Sequence, residues 1–284
     1  MMTIAVASFK ETLRKKILLL IGILTLVYLV LFGFIIYHAV KDINQWDSGN
    51  NLKIYMMASQ TVSILGFYFS SMLVAFLTIM ASIGSVSSEI ENGVIHSVIT
   101  RPIKRMDYIL GKYLGLAALI ILYSVFLYTS VVLICILLQL PVMKMLGIPP
   151  LLKGLLFFIL QPIAILSLSI FGSVRFKTTV NGIVVIALYI LGAIGGMMEQ
   201  IGTAIENTNL INWGIFSSLL APFDVIYHQM LDAVFSDAGL ANPMFAMSGM
   251  QGNTPSQWMM VYIFVYIIGL TALAVRRFEK RDIG

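Results

Sequence analysis

The sequence predicts an all-α polytopic membrane protein with six transmembrane helices. Three observations carry this. Only 11% of the 284 residues are charged and 59% are hydrophobic, against about 25% charged in an ordinary soluble domain. The apolar residues come in long unbroken blocks, and about 20 residues of helix cross a bilayer. The Lys and Arg residues are crowded into every second segment between those blocks, as the positive-inside rule demands of a threaded chain.

Residues 1–16 open the chain. Met2, Val6, Phe9, Leu13 and Ile17 fall on one helical face, with Glu11, Arg14 and Lys15 elsewhere. Such a helix is expected to lie in the membrane interface before turning into the first span. The apolar run behind it is longer than a signal-peptide core, and no small-x-small cleavage site follows.

Five blocks free of charge come next, at 17–40, 54–88, 113–143, 154–174 and 178–198; a sixth apolar run, 258–275, ends at Arg276 and Arg277. The expected spans are 17–40, 60–84, 113–138, 152–174, 178–199 and 258–275, in one transmembrane domain over 1–284. Six spans return both termini to one side. Lys10, Arg14, Lys15 and Lys16 precede the first span; Arg101, Lys104, Arg105 and Lys112 lie between the second and third. Arg175 and Lys177 lie between the fourth and fifth, and Arg276, Arg277, Lys280 and Arg281 follow the sixth. Only Lys41, Lys53, Lys144 and Lys153 of the 18 cations are left for the other side. That bias predicts cytoplasmic termini. It also accounts for the net charge of +5 without nucleic acid. Cys135, the single cysteine, excludes a disulfide within the chain.

The outward loops are unequal. Segment 41–53 is short, and 139–150 is a turn punctuated by Pro141, Gly147, Pro149 and Pro150. The long loop, 200–257, contains the apolar stretch 211–223, which is too short to span. A re-entrant or interfacial helix is expected there, a candidate outer gate formed by Ile211, Ile215, Leu219, Pro222 and Asp224. Among small residues, Gly111 with Gly115 and Gly192 with Gly196 have the spacing of close helix–helix packing. Pro162 is expected to kink the fourth span, with Gln161 beside it as a structural polar contact.

The densest polar segment between spans is 85–112. A short helix is expected from Ser87 to about Arg101, where Pro102 disfavours helix. Glu89 and Glu91 sit where the dipole of that helix favours negative charge. A second helix is expected to start near Met106 or Asp107 and to run up into the third span.

The pattern Glu91-Asn92-Gly93, then Thr100-Arg101-Pro102-x-x-Arg105, then Gly111-Lys112 at the foot of a span resembles the ABC-2 type permease family. The likeness extends over nearly the whole chain, from the interfacial first helix through six spans to a basic tail. It implies the membrane-spanning subunit of an ATP-driven transporter in the plasma membrane, working as a homo- or heterodimer of permease chains. The segment with Glu89, Glu91, Asn92, Gly93, Val94, Arg101, Pro102 and Arg105 would be the coupling helix that seats in a separate ATP-binding subunit. Asn92 departs from the more compact residue the position could hold.

No G-x-x-x-x-G-K-[ST] loop is present, since Gly111-Lys112 runs into Tyr113 without the upstream glycine. ATP and Mg²⁺ would therefore sit on the partner, and this chain is expected to bind no cofactor and to be no enzyme by itself. His38, His96 and His228 lie far apart without metal-ligand spacing. Met244, Met247 and Met250 could offer thioethers to Cu(I), but methionine is common filler here, at 17 residues. No ionisable residue lies mid-span in the first five blocks, which argues against an ion-driven carrier. The rival reading is a membrane scaffold or sensor whose cytoplasmic hairpin binds a regulatory protein; a neighbouring gene for an ATP-binding subunit would separate the two.

Overall fold

The computed structural model describes residues 1–45, 52–94, 104–140, 142–143, 146–235 and 257–280. Within them every regular element is a helix: α1 (Met2–Leu13), α2 (Lys16–Gln45), α3 (Leu52–Ser82), α4 (Ser87–Glu91) and α5 (Arg105–Leu137). They continue as α6 (Ile148–Arg175), α7 (Thr178–Ala204), α8 (Thr208–Leu220), α9 (Phe223–Phe235) and α10 (Gln257–Glu279). Six of these, α2, α3, α5, α6, α7 and α10, are long and apolar enough to cross a membrane. All-α architecture and six spans are thus as the sequence predicts.

The spans differ in how much of their surface the chain itself covers. In α3 and α6, 56% of the most apolar window is buried; in α2 it is 22% and in α10 only 17%. α6 is the hub, touching α3, α4, α5, α7, α9 and α10. Its small and hydroxyl side chains (Gly154, Ala164, Ser167, Ser169, Gly172, Ser173) are all buried, which lets many neighbours approach closely. Pro162 lies inside α6, and Gln161 next to it accepts a hydrogen bond from Ser71 Oγ at 2.8 Å, so this amide ties α6 to α3.

Leu77, Ile109, Leu116, Ile170, Ala274 and Phe278 form a core at the end where Lys and Arg gather. Phe67, Tyr128, Val131, Phe158, Met230 and Val234 fill a second core further along the bundle. Many large side chains on α2 point outward, such as Leu19, Leu26, Val30 and Phe34. Such a surface is stable against lipid and not against water.

Two regions differ from the sequence expectation. The 200–257 loop does not carry one short apolar helix. It carries a pair, α8 and α9, bent by 96° at Ala221–Pro222. Asn207 caps α8, its side-chain oxygen accepting from Asn209 N and Leu210 N, which starts the helix three residues before Ile211. Pro222 has no N–H to continue it. The freed carbonyls of Leu219 and Leu220 accept instead from the hydroxyls of Tyr262 and Tyr266 on α10. α9 then buries Phe223, Ile226, Tyr227, Met230, Leu231 and Val234 against α6, α3 and α7.

The second difference is α4. Its helix ends at Glu91, and Gly93 takes φ 69°, a left-handed turn that side chains with a Cβ resist. The described helix is therefore five residues long and does not reach Val94 unbroken; Arg101 and Pro102 lie outside the described residues, as do His96, Met244, Met247 and Met250.

Candidate functional site

The predicted docking segment lies at the basic end, and the structure binds its first half to four other helices. The chain leaves α3 at Ser82 and turns through Ile83–Val86. Asn181 on α7, fully buried, donates to Ile83 O at 3.0 Å, Ser169 O at 3.1 Å and Ser173 Oγ at 2.8 Å. Ser173 Oγ in turn donates to Ile83 O at 2.9 Å, and Ser82 Oγ donates to Ser169 Oγ at 2.8 Å. Buried polar groups joined this way rigidify a unique arrangement. Gly172 makes room for it, because a Cβ there would collide with the Asn181 side chain.

α4 leaves this knot with two carboxylates used in different directions. Glu91 accepts from Thr178 N at 2.8 Å and from Thr178 Oγ1 at 3.1 Å, so it sits on the N-terminus of α7, where the helix dipole favours an anion. Ser87 Oγ and Thr178 Oγ1, 2.8 Å apart, add a second tie. Glu89 turns the other way, into an ion pair with Lys112 and a hydrogen bond from Tyr108 OH, both on α5. Lys112 also reaches Glu11 on α1 at 3.3 Å, and Lys15 pairs with Glu11 at 3.5 Å. The Lys112 side chain is 7% exposed and that of Glu89 20%. Lys112, read from the sequence as a topology charge, is thus the buried centre of a three-helix ion cluster.

Glu11 lies on α1, outside the spans. Burial raises its pKa, the charges of Lys112 and Lys15 lower it, and the balance falls below the usual carboxylate value. α1 itself lies against α5 by its small and polar side: Ser8 and Thr12 are buried, while Met2, Val6 and Leu13 face outward. Gly111 and Gly115 permit that contact. A Cβ on Gly111 would stand 2.9 Å from Ile4 Cβ, and one on Gly115 would strike Ala5 O and stand 2.9 Å from Ser8 Cβ. Arg105 closes the end by donating to Glu279 O of α10 at 3.1 Å. Asn92 and Val94 remain exposed beyond α4.

At the far end, Gly192 and Gly196 face the helix pair. A Cβ on Gly192 would come within 2.6 Å of Ala221 O, and one on Gly196 would strike the Asp224 carboxylate. Gly195, Gly202 and Gly214, not singled out from the sequence, make the same α7–α8 approach. Trp213, Ile215, Phe216 and Leu219 of α8 point outward, while Gly214, Ser217 and Ser218 point in. Asp224 Oδ2 lies 3.3 Å from His228 Nε2, which lies 2.7 Å from Gln200 Nε2. Sequence reading placed His228 alone; the four-residue spacing of Asp224, His228 and Asp232 was the signal that could have grouped them. Among the described residues no three His, Cys, Asp or Glu side chains converge as metal ligands.

A bundle of six span-capable helices with a polar, interlocked basic end defines a polytopic membrane protein. Residues 2–283 match the model of a family described as ABC-2 family transporter protein, and the chain belongs to that family. It is a permease component of an ABC transporter, a multi-pass membrane protein. No curated protein sequence matches the chain.

Proposed function

We propose that this chain is the permease subunit of an ATP-driven transporter, paired with a second permease chain and powered by a separate cytoplasmic ATP-binding subunit that holds ATP and Mg²⁺. The partner seats on α4 and the segment behind it, with Asn92, Gly93, Val94, Arg101, Pro102 and Arg105 as the contact and Glu89 and Glu91 as its anchors. One observation carries this reading: α4 is tied to α1, α5 and α7 through Glu89, Lys112, Glu11, Glu91 and Thr178. A push on α4 is therefore delivered to three helices as a rigid-body displacement.

The basic end faces the cytoplasm in this scheme, as the bias of the cations demands. α8 and α9 then lie on the outer side. The outward apolar face of α8 dips into the outer leaflet or meets the second permease chain, and the bend at Pro222 forms a gate beside the pathway. Ile211, Ile215 and Leu219 supply the gate's apolar surface, and Asp224 closes on Gly196.

Cysteine cross-linking tests the docking. Cys135 is buried and alone, so Val94→Cys adds one reactive thiol. A thiol-to-amine cross-linker applied to native membranes is expected to join Val94→Cys to a protein carrying a phosphate-binding loop. A cross-link from Asn207→Cys to that protein, with none from Val94→Cys, refutes both the docking segment and the orientation.

A further inference from the structure

Two cavities flank the cytoplasmic-end turn of α10, and Arg276 lines both. The first, about 530 Å³, opens between the ends of α6 and α10 and is lined by Arg175, Arg276, Arg277 and Lys280 with Val174 and Leu273. All four cations are exposed, and among the described residues none is in an ion pair. Arg175 is held with its guanidinium 5.6 Å from the Phe176 ring, which leaves its N–H groups for another partner. The second cavity, about 510 Å³, is an apolar groove climbing between α5 and α10, walled by Leu110, Tyr113, Ile267, Ile268 and Thr271. Glu279 borders this groove and not the basic pocket.

We infer that the two cavities form one site for an anionic phospholipid: its phosphodiester in the Arg175–Arg276–Arg277–Lys280 pocket and an acyl chain in the α5–α10 groove. Charge complementarity selects the headgroup, since basic pockets between transmembrane helices suit anionic lipids, and three guanidiniums offer paired N–H donors to phosphate oxygens. The groove selects a chain and not a free ion. α10, with the least self-covered surface of any span, is the helix such a lipid would hold against α5 and α6. The inference is independent of the proposed coupling to an ATPase, because it needs only that the basic end meet a headgroup layer.

Native mass spectrometry of the full chain in mild detergent tests it, with dioleoylphosphatidylglycerol, dioleoylphosphatidylcholine and inorganic phosphate as probes. One phosphatidylglycerol is expected to bind at least about tenfold more tightly than phosphatidylcholine. Arg175→Gln with Arg276→Gln and Arg277→Gln should abolish that preference. Removing the same charge around the α1–α2 junction, by Lys10→Gln with Arg14→Gln and Lys16→Gln, should leave it. Ile268→Trp, filling the groove, should weaken phosphatidylglycerol several-fold. Equal binding of the two lipids, full displacement by inorganic phosphate, or equal loss in the α1–α2 junction control each overturns the site. If the triple variant does not fold, Arg277→Gln alone must cost about fivefold, and no change there also overturns it.

Discussion

The two ends of this bundle hold helices together by different means. At the basic end, α1, α4, α5 and α7 are joined by charge and by hydroxyl networks around Lys112, Glu89 and Asn181. At the far end, α7, α8 and α9 meet over glycines, with Gly192 against the Ala221 carbonyl, Gly195 against Ser217 and Gly196 against the Asp224 carboxylate. The far end also holds charge, in the Asp224–His228 pair, but its helices approach one another through the glycines. Contact area between small residues supplies the attraction there. Near the headgroups charges can be paired and partly hydrated, and a junction built on them gains direction as well as strength. A junction of carboxylates and a lysine transmits a displacement from a specific point. A glycine seam tolerates sliding along its length.

Lys112→Met should break the contrast most severely. It leaves Glu89 and Glu11 without their shared cation, and removing one partner of a buried pair typically costs about 3 kcal/mol. Thermal unfolding in detergent is expected to show that loss, and Glu89→Gln added to it should restore part of the stability. An unchanged melting temperature for Lys112→Met would reduce the cluster to a surface ornament.

Gly196→Leu probes the opposite end. Its side chain must displace Asp224, and overpacking of this kind costs about 2 kcal/mol. Hydrogen exchange should rise in α8 and α9 while α1 stays protected. If α1 loosens equally, the two ends are one cooperative unit and the comparison fails.

Glu91→Gln is milder, about 0.5 kcal/mol, because the amide still accepts one hydrogen bond from Thr178 but loses its charge at the helix N-terminus. Faster exchange confined to the first turn of α7 is the expected signature. Fraying that spreads to α5 would mean Glu91 supports the Lys112 cluster as well.

The smallest effect concerns acid. The Glu11 pKa is lowered in the folded protein, so its contribution is fully present above the ordinary carboxylate value and is lost as pH falls through the lowered one. Protease cutting near Glu11 should therefore increase only as pH falls below the ordinary carboxylate value. Increased cutting above that value would show that another group controls α1.

Hydropathy made the spans legible because each block is long and free of charge. It did not reveal α9, whose 13 residues include Asp224 and Asp232 and so form no charge-free block. The helical stripe Phe223, Ile226, Tyr227, Met230, Val234 was nevertheless present at the right spacing. Glu89 and Glu91 could be assigned to one short helix from sequence, but not to opposite partners; residues two apart on a helix point to different sides. Lys112 could not be told from the other cations, because what distinguishes it is the pair of carboxylates brought from α1 and α4.

The seat of α1 also orders events during synthesis. Glu11 and Lys112 are 101 residues apart, and Gly111 and Gly115 belong to the third span. Elongating at about 5–20 residues per second, a ribosome delivers that span roughly 5–20 s after α1 has emerged. For that interval α1 lacks its docking surface, and its outward apolar face and the span α2 behind it hold it at the membrane. α1, made before α4 and α5, therefore settles after them, and its arrival seals a foot already assembled from those two.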